Sequence, residues 1–268
     1  MTDNQHLYPA SPAAAVGADR LRAEPALLPA GAGAEWLGQA WELFKKAPAL
    51  LIAMLVLYFV IGMAVGMVPV IGELFMSLTL GIWMAGWAIT FDKLQRSEQI
   101  TIGDLFAGFS HPQAGRLFVI GALYLGLFVS LVILTIALAV AAFGIGGFSE
   151  FSGFSEFGDM TQAGAHISAN LGIFFVLLLV VVSGIFLIFG YIAYAPVLVV
   201  MHDIPVLDAC ALSLRALLRN WLPMTVYGLI IVGLCFASVL TLFIGMLVIM
   251  PLMIGVGYVS YRQMFLEE

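Results

Sequence analysis

Between Pro48 and Phe91 the chain carries one charged residue, Glu73, in an otherwise apolar run. A straight helix over that stretch would be about 65 Å long at 1.5 Å per residue, roughly twice the 30 Å hydrocarbon thickness of a bilayer. The run must therefore fold back, and Val68-Pro69-Val70-Ile71-Gly72-Glu73 holds the turn residues. This predicts spans near 48–67 and 73–91. Further runs predict spans from Leu117 to Phe143 and from Leu171 to Tyr194, with Pro196 ending or kinking the latter. Trp221 to Phe265 is again long enough for two spans, with a turn near Gly245 to Pro251. The expected fold class is all-α, a polytopic membrane bundle of six transmembrane helices with short interfacial amphipathic helices.

Composition agrees. Only 10% of the 268 residues are charged and 63% are hydrophobic, whereas soluble domains carry about 25% charged residues. The surface of a globular protein in water could not be covered from that supply. Residues 1–33 differ from the rest: Pro9, Pro12, Pro25 and Pro29 punctuate an Ala-rich stretch. It has no basic start followed by an apolar core, so it does not read as a signal peptide. A disordered cytoplasmic tail over 1–33 and a membrane domain over 34–268 are expected.

Charge placement sets the expected topology. With six spans, Arg20, Arg22, Lys45, Lys46, Lys93, Arg96, Arg116, Arg215, Arg219 and Arg262 all fall on one side. Glu73, Glu150, Glu156 and Asp159 fall on the other. Cytoplasmic loops are enriched in Lys and Arg, so both termini are expected in the cytoplasm.

Each hairpin follows a short amphipathic segment. Over 35–46, Glu35, Gln39, Glu42, Lys45 and Lys46 share one helical face, and Trp36, Leu37, Ala40, Leu43 and Phe44 the other. Over 206–219, Asp208, Arg215 and Arg219 oppose Ala209, Cys210, Ser213 and Leu217. The middle copy begins with capping-box spacing at Thr101-Ile102-Gly103-Asp104. Leu43-Phe44, Leu105-Phe106 and Leu217-Leu218 each precede a proline and a span, and Gly81–Phe91, Gly190–Val200 and Gly255–Phe265 close the three hairpins. This reads either as a threefold internal pseudo-repeat or as the common look of any hairpin with an amphipathic lead-in.

Little in the chain suggests chemistry. Ionisable residues are expensive inside a membrane and usually mark function there; the central parts of the expected spans hold none. Ser77, Thr79, Thr90, Ser130, Thr135, Ser183, Thr225, Ser238, Thr241 and Ser260 are expected to bond their own or a neighbouring helix. His111 and His202 share no helix face with another histidine, and Cys210 and Cys235 have no metal-ligand spacing. No nucleophile elbow is present. No catalytic residue, cofactor, metal site or nucleic-acid partner is therefore expected, and the chain does not read as an enzyme. Gly62-x-x-x-Gly66 permits close helix approach. Trp36, Trp41, Trp83, Trp87 and Trp221 suit an interfacial belt, although two of them could pack inside. Phe-Ser-Glu-Phe occurs twice between Phe148 and Phe157, in an acidic, aromatic outer loop.

Gly33-x-x-Trp36 through Trp41-x-x-Phe44-x-x-x-Pro48, Asp104-Leu105-Phe106-Ala107-Gly108-Phe109, and Ala211-x-Ser213-Leu214 with Asn220-Trp221-x-Pro223 together resemble an uncharacterised family of multi-pass bacterial inner-membrane proteins. More distantly, they resemble the membrane domain attached to some glycerophosphodiester phosphodiesterases. The resemblance covers roughly residues 33–265. It implies a bacterial inner-membrane location and assigns no catalytic residue.

Two function classes fit. One is a structural, interaction or membrane-homeostasis component, with membrane lipids and other membrane proteins as partners. The other is an uncoupled transporter or lipid-handling protein with a groove between hairpins. Lys45, Lys46, Arg215 and Arg219 are the candidate contact for anionic lipid headgroups, provided the bundle brings the first and third units side by side.

Overall fold

The computed structural model describes residues 20–143 and 160–267. The described chain is all-helical, with no β-strand among those residues. Its helices are α1 (Ala32–Lys46), α2 (Pro48–Gly66), α3 (Ile71–Leu78), α4 (Leu80–Gln95), α5 (Ala107–Ser110), α6 (Ala114–Phe143), α7 (Met160–Ile192), α8 (Ala195–His202), α9 (Val206–Arg219), α10 (Trp221–Leu240) and α11 (Met246–Phe265). A short 3₁₀ turn, Ile102–Phe106, leads into α5.

Four stretches are long and apolar enough to cross a membrane: Pro48–Gly66, Ala114–Ala142, Leu171–His202 and Trp221–Leu240. The pair α3 and α4, bent by 45° at Thr79, makes a fifth if taken as one span. Helix α11 is as long as α10, but Tyr258, Ser260, Tyr261, Arg262 and Gln263 make its second half polar, and it does not join that set.

Chain contacts divide the protein into two compact units. One runs up to Leu123 and resumes at Gly190; the other is Tyr124–Phe189. The first unit is built around helices buried on nearly every side. Ile82, Trp83, Ala85, Trp87 and Phe91 of α4 are buried, as are Leu252, Val256, Tyr258, Val259, Tyr261, Met264 and Phe265 of α11. Helix α4 packs against the 102–110 segment, α8 against α9, and α11 against α1; α4 also touches α8 and α11.

Backbone approach explains several glycines. A methyl group at Gly86 would stand 2.2 Å from the Leu105 carbonyl oxygen, and one at Gly108 would stand 2.2 Å from that of Ile82. Helix α4 and the 102–110 segment therefore meet backbone to backbone, which only a residue without Cβ allows. Gly62-x-x-x-Gly66 plays no such part, since Gly66 faces open space. The close contact in that hairpin is at Gly72, where a methyl would lie 2.1 Å from the Val65 carbonyl oxygen.

Among the described residues, the second unit holds α6 from Tyr124 onward and α7 as far as Phe189. Gly184 faces the side chain of Leu131, and the hydroxyls of Ser130 and Thr135 return to the carbonyls of Gly126 and Leu131. Other helical hydroxyls do the same: Thr79 to Phe75, Thr90 to Gly86, Thr225 to Trp221 and Ser260 to Gly257. Such back-bonding satisfies a hydroxyl without a second helix.

Three sequence expectations are corrected. The last turn falls at Thr241–Gly245, not at Gly245–Pro251; Pro251 sits inside α11. The Thr241 hydroxyl accepts from the Gly245 amide at 3.1 Å, and Leu242 and Phe243 take positive φ, so a short polar contact sets the reversal. The stretch expected to be a disordered tail is hydrogen-bonded from Arg20 onward, and α1 already begins at Ala32. Residues 1–19 and the Phe-Ser-Glu-Phe loop lie outside the described residues. Finally, Trp36, Trp83 and Trp87 are core residues, while Trp41 and Trp221 are exposed.

Candidate functional site

Polar side chains gather where α1, the 92–116 connection, α8, α9 and the end of α11 meet. Amphipathic patterning explains why these elements sit there. Trp36, Ala40, Leu43 and Phe44 of α1 are buried against α10 and α11, while Glu35, Gln39, Glu42, Lys45 and Lys46 are exposed. In α9, Ala209, Cys210, Ser213 and Leu217 are buried and Asp208, Arg215 and Arg219 exposed.

Three carboxylates organise this end. Asp104 receives Lys93 Nζ at 2.6 Å and the Thr101 amide at 2.7 Å, closing the capping box. Burial alone would raise its pKa, but the hydrogen bonds from Lys93 and Thr101 and the Lys93 charge outweigh that and hold the carboxyl below its usual value. Asp92 pairs with Arg96 at 2.9 Å and accepts the Tyr258 hydroxyl at 2.7 Å, tying α4 to α11. The Asp92 charge also raises the Arg96 pKa. Asp203 caps α8 in the left-handed conformation and binds Arg116 at 2.6 Å together with the Gln113 amide. Burial depresses the pKa of nearby His111, against the opposing pull of Asp203.

Neutral bonds complete the set. Trp36 Nε1 donates to Gln263 at 2.8 Å, the Tyr194 and Ser260 hydroxyls meet at 3.0 Å, and His202 meets Tyr261. Residues 20–28 form a strap along the chain's other end. The amides of Arg22 and Ala26 donate to the Phe265 and Met264 carbonyls, each at 2.7 Å, and the Glu267 amide donates to Arg20 at 2.8 Å.

The four basic residues expected at a lipid site do not converge. Lys45 pairs with Glu42 at 2.8 Å, and Lys46 donates to the Leu94 carbonyl at 2.7 Å, at the end of α4. Arg219 pairs with Glu24 at 2.8 Å, and Arg215 is exposed. It is Gly33, at the start of α1, that packs on Pro223 just after Arg219. Lys45 lies a dozen residues further along the helix, about 18 Å at 1.5 Å per residue. The lysine pair and the arginine pair thus sit toward opposite ends of α1.

Lys46 borders a shallow cleft of about 420 Å³ between the start of α2 and the end of α4, lined also by Leu50, Leu94, Ser97, Glu98 and Ile100. Ser97 takes φ 59°, a left-handed conformation that favours glycine. Its position in the cleft is invisible to periodicity, because it follows from how α4 ends. Cys210 is buried, which pushes its thiol up to about 11. Among the described residues, no group of His, Cys, Asp or Glu is arranged to hold a metal ion.

The fold thus defines an all-helical protein whose apolar helices are compatible with a membrane. Comparison with family models, curated proteins and solved structures finds no match.

Proposed function

We propose that this chain is a multi-pass protein of the bacterial inner membrane with a structural, interaction or membrane-homeostasis role. In this reading α2, the α3–α4 pair, α6, α7 with α8, α10 and α11 make six spans, both termini are cytoplasmic, and the polar end lies at the cytoplasmic interface. One-sided placement of Lys and Arg supports the orientation. The packing of α4 on 102–110, α8 on α9 and α11 on α1 supports a threefold pseudo-repeat, since each returning helix meets the amphipathic segment of the next unit in turn.

The observation that carries the functional reading is how the charges are used. Asp92, Asp104 and Asp203 each bind a basic partner from the same end of the fold. The long helices meanwhile present apolar surface: Phe174, Phe175, Leu179, Val182, Ile185 and Phe189 of α7 are all exposed. Polar groups spent on holding helices together, beside broad apolar faces, suit a protein that works through contacts with lipid or other spans. Extraction from native membranes in mild detergent, followed by affinity capture and identification of bound proteins and lipids, tests this. Reproducible co-purification of membrane partners is expected. Capture of none, together with solute flux in reconstituted vesicles, would favour the uncoupled transporter instead.

A further inference from the structure

We propose that the cleft between α2 and α4 binds the headgroup of one zwitterionic phospholipid, with its phosphate at Lys46 and Ser97 and its primary ammonium at Glu98. The proposal rests on the reading that this end of the protein lies in the membrane interface.

Three features define the site. Lys46 Nζ donates to the Leu94 carbonyl at 2.7 Å and lies 3.5 Å from Ser97 Oγ, so the ammonium is fixed beside a hydroxyl with N–H capacity to spare. Glu98 follows directly, and its amide bonds back to the Lys93 carbonyl at 2.9 Å, which holds the turn in place. Lys46, Ser97 and Glu98 all line this one opening, which brings a cation, a hydroxyl-bearing residue and an acidic residue together. Arg96, the other nearby cation, is already engaged by Asp92 at 2.9 Å. Leu50 and Ile100 supply an apolar wall. A phosphate linked by two carbons to an ammonium carries the complementary pair of charges, and its glycerol and acyl chains match the wall. A purely anionic headgroup would leave Glu98 facing a like charge.

Ser97 strengthens the assignment. It follows the Arg96 cap of α4 at φ 59°, where glycine would sit without strain. Serine there costs the fold and supplies a hydroxyl to the cleft, the pattern expected when local strain serves a site.

The test uses the full chain in mild detergent, with native mass spectrometry of equimolar dioleoyl phosphatidylethanolamine, phosphatidylcholine and phosphatidylglycerol. Wild type is expected to retain phosphatidylethanolamine over phosphatidylcholine by about tenfold, the worth of one charge-assisted hydrogen bond that a trimethylated ammonium cannot make. Glu98→Gln should bring that ratio close to one. Lys46→Gln and Ser97→Gly should lower retention of both lipids alike. Ser97→Gly should do so with unchanged or higher thermal stability, which separates loss of the site from loss of the fold. Equal retention of all three lipids by wild type, or an unchanged ratio in Glu98→Gln, would overturn the proposal. Free glycerophosphoethanolamine retained as well as the phospholipid would overturn the lipid assignment. A spin label at Ser97→Cys, in a Cys210→Ala/Cys235→Ala background, reports depth independently. A label in bulk water means the interface reading has failed; a label at headgroup depth without lipid selectivity means the site itself has failed.

Discussion

Asn220 has its whole carboxamide occupied. Its nitrogen donates to the Ala26 carbonyl at 2.9 Å and to Ala216 at 3.1 Å, and its oxygen accepts the Leu28 amide at 2.8 Å. The side chain is fully buried and stitches the strap to the start of α10. Asn220→Ala takes that partner from the half-buried Leu28 amide and Ala26 carbonyl, a loss of about 0.5–1.5 kcal/mol per bond. Limited proteolysis within 20–31 should accelerate and the melting temperature in detergent should fall; equal protection in wild type and variant would reject the stitch. Asp104 makes a pH prediction. Its folded pKa is depressed, so its contribution to stability is present above the unfolded value of about 3.9 and disappears as pH falls through the lower folded value. Melting temperature should therefore drop on acidification below about pH 4, and Asp104→Asn should show a lower plateau at neutral pH with a shallower acid slope. Parallel acid profiles would mean that other carboxylates set the slope.

At the level of elements, close packing separates glycines that sequence alone treats alike. Gly86→Ala puts a methyl into the Leu105 carbonyl, and overpacking of this kind costs about 1–3 kcal/mol. Gly66→Ala meets open space at the last residue of α2, so it gains less than the roughly 1 kcal/mol of a helix interior and clashes with nothing. Melting in detergent should rank Gly66→Ala at or above wild type and Gly86→Ala clearly below; the reverse order would contradict the α4 contact. The faces of α1 and α9 were legible in the sequence, because a 3.6-residue period is written locally. The break at Thr79 was not, because Thr79 lies inside a continuous apolar run and the bend follows from how α3 and α4 seat on their neighbours.

For the molecule as a whole, the proposed six-span topology has a direct test. Reporter fusions at the C-terminus should be active only in their cytoplasmic form, and fusions within 146–168 only in their exported form. A C-terminal reporter active solely outside the cytoplasm would remove the model. The count depends on α11, which composition alone leaves short of a span. Its polar second half is accommodated because Tyr258, Tyr261 and Gln263 find Asp92, His202 and Trp36 across the fold.

By itself the sequence determined that the chain is helical and apolar, the bounds of α1, α2, α6 and α9 to within a turn, and which faces of α1 and α9 are buried. Those properties come from run length, proline placement and periodicity, all of which act within a turn or two. Only the tertiary structure decided which returning helices form the core, that the strap from Arg20 joins the C-terminal end, and that Lys46 stands apart from Arg219. Asp203 and Arg116 are 87 positions apart, and Asn220 and Ala26 are 194 apart. Pairings at that separation follow from how helices pack, and no local pattern encodes them.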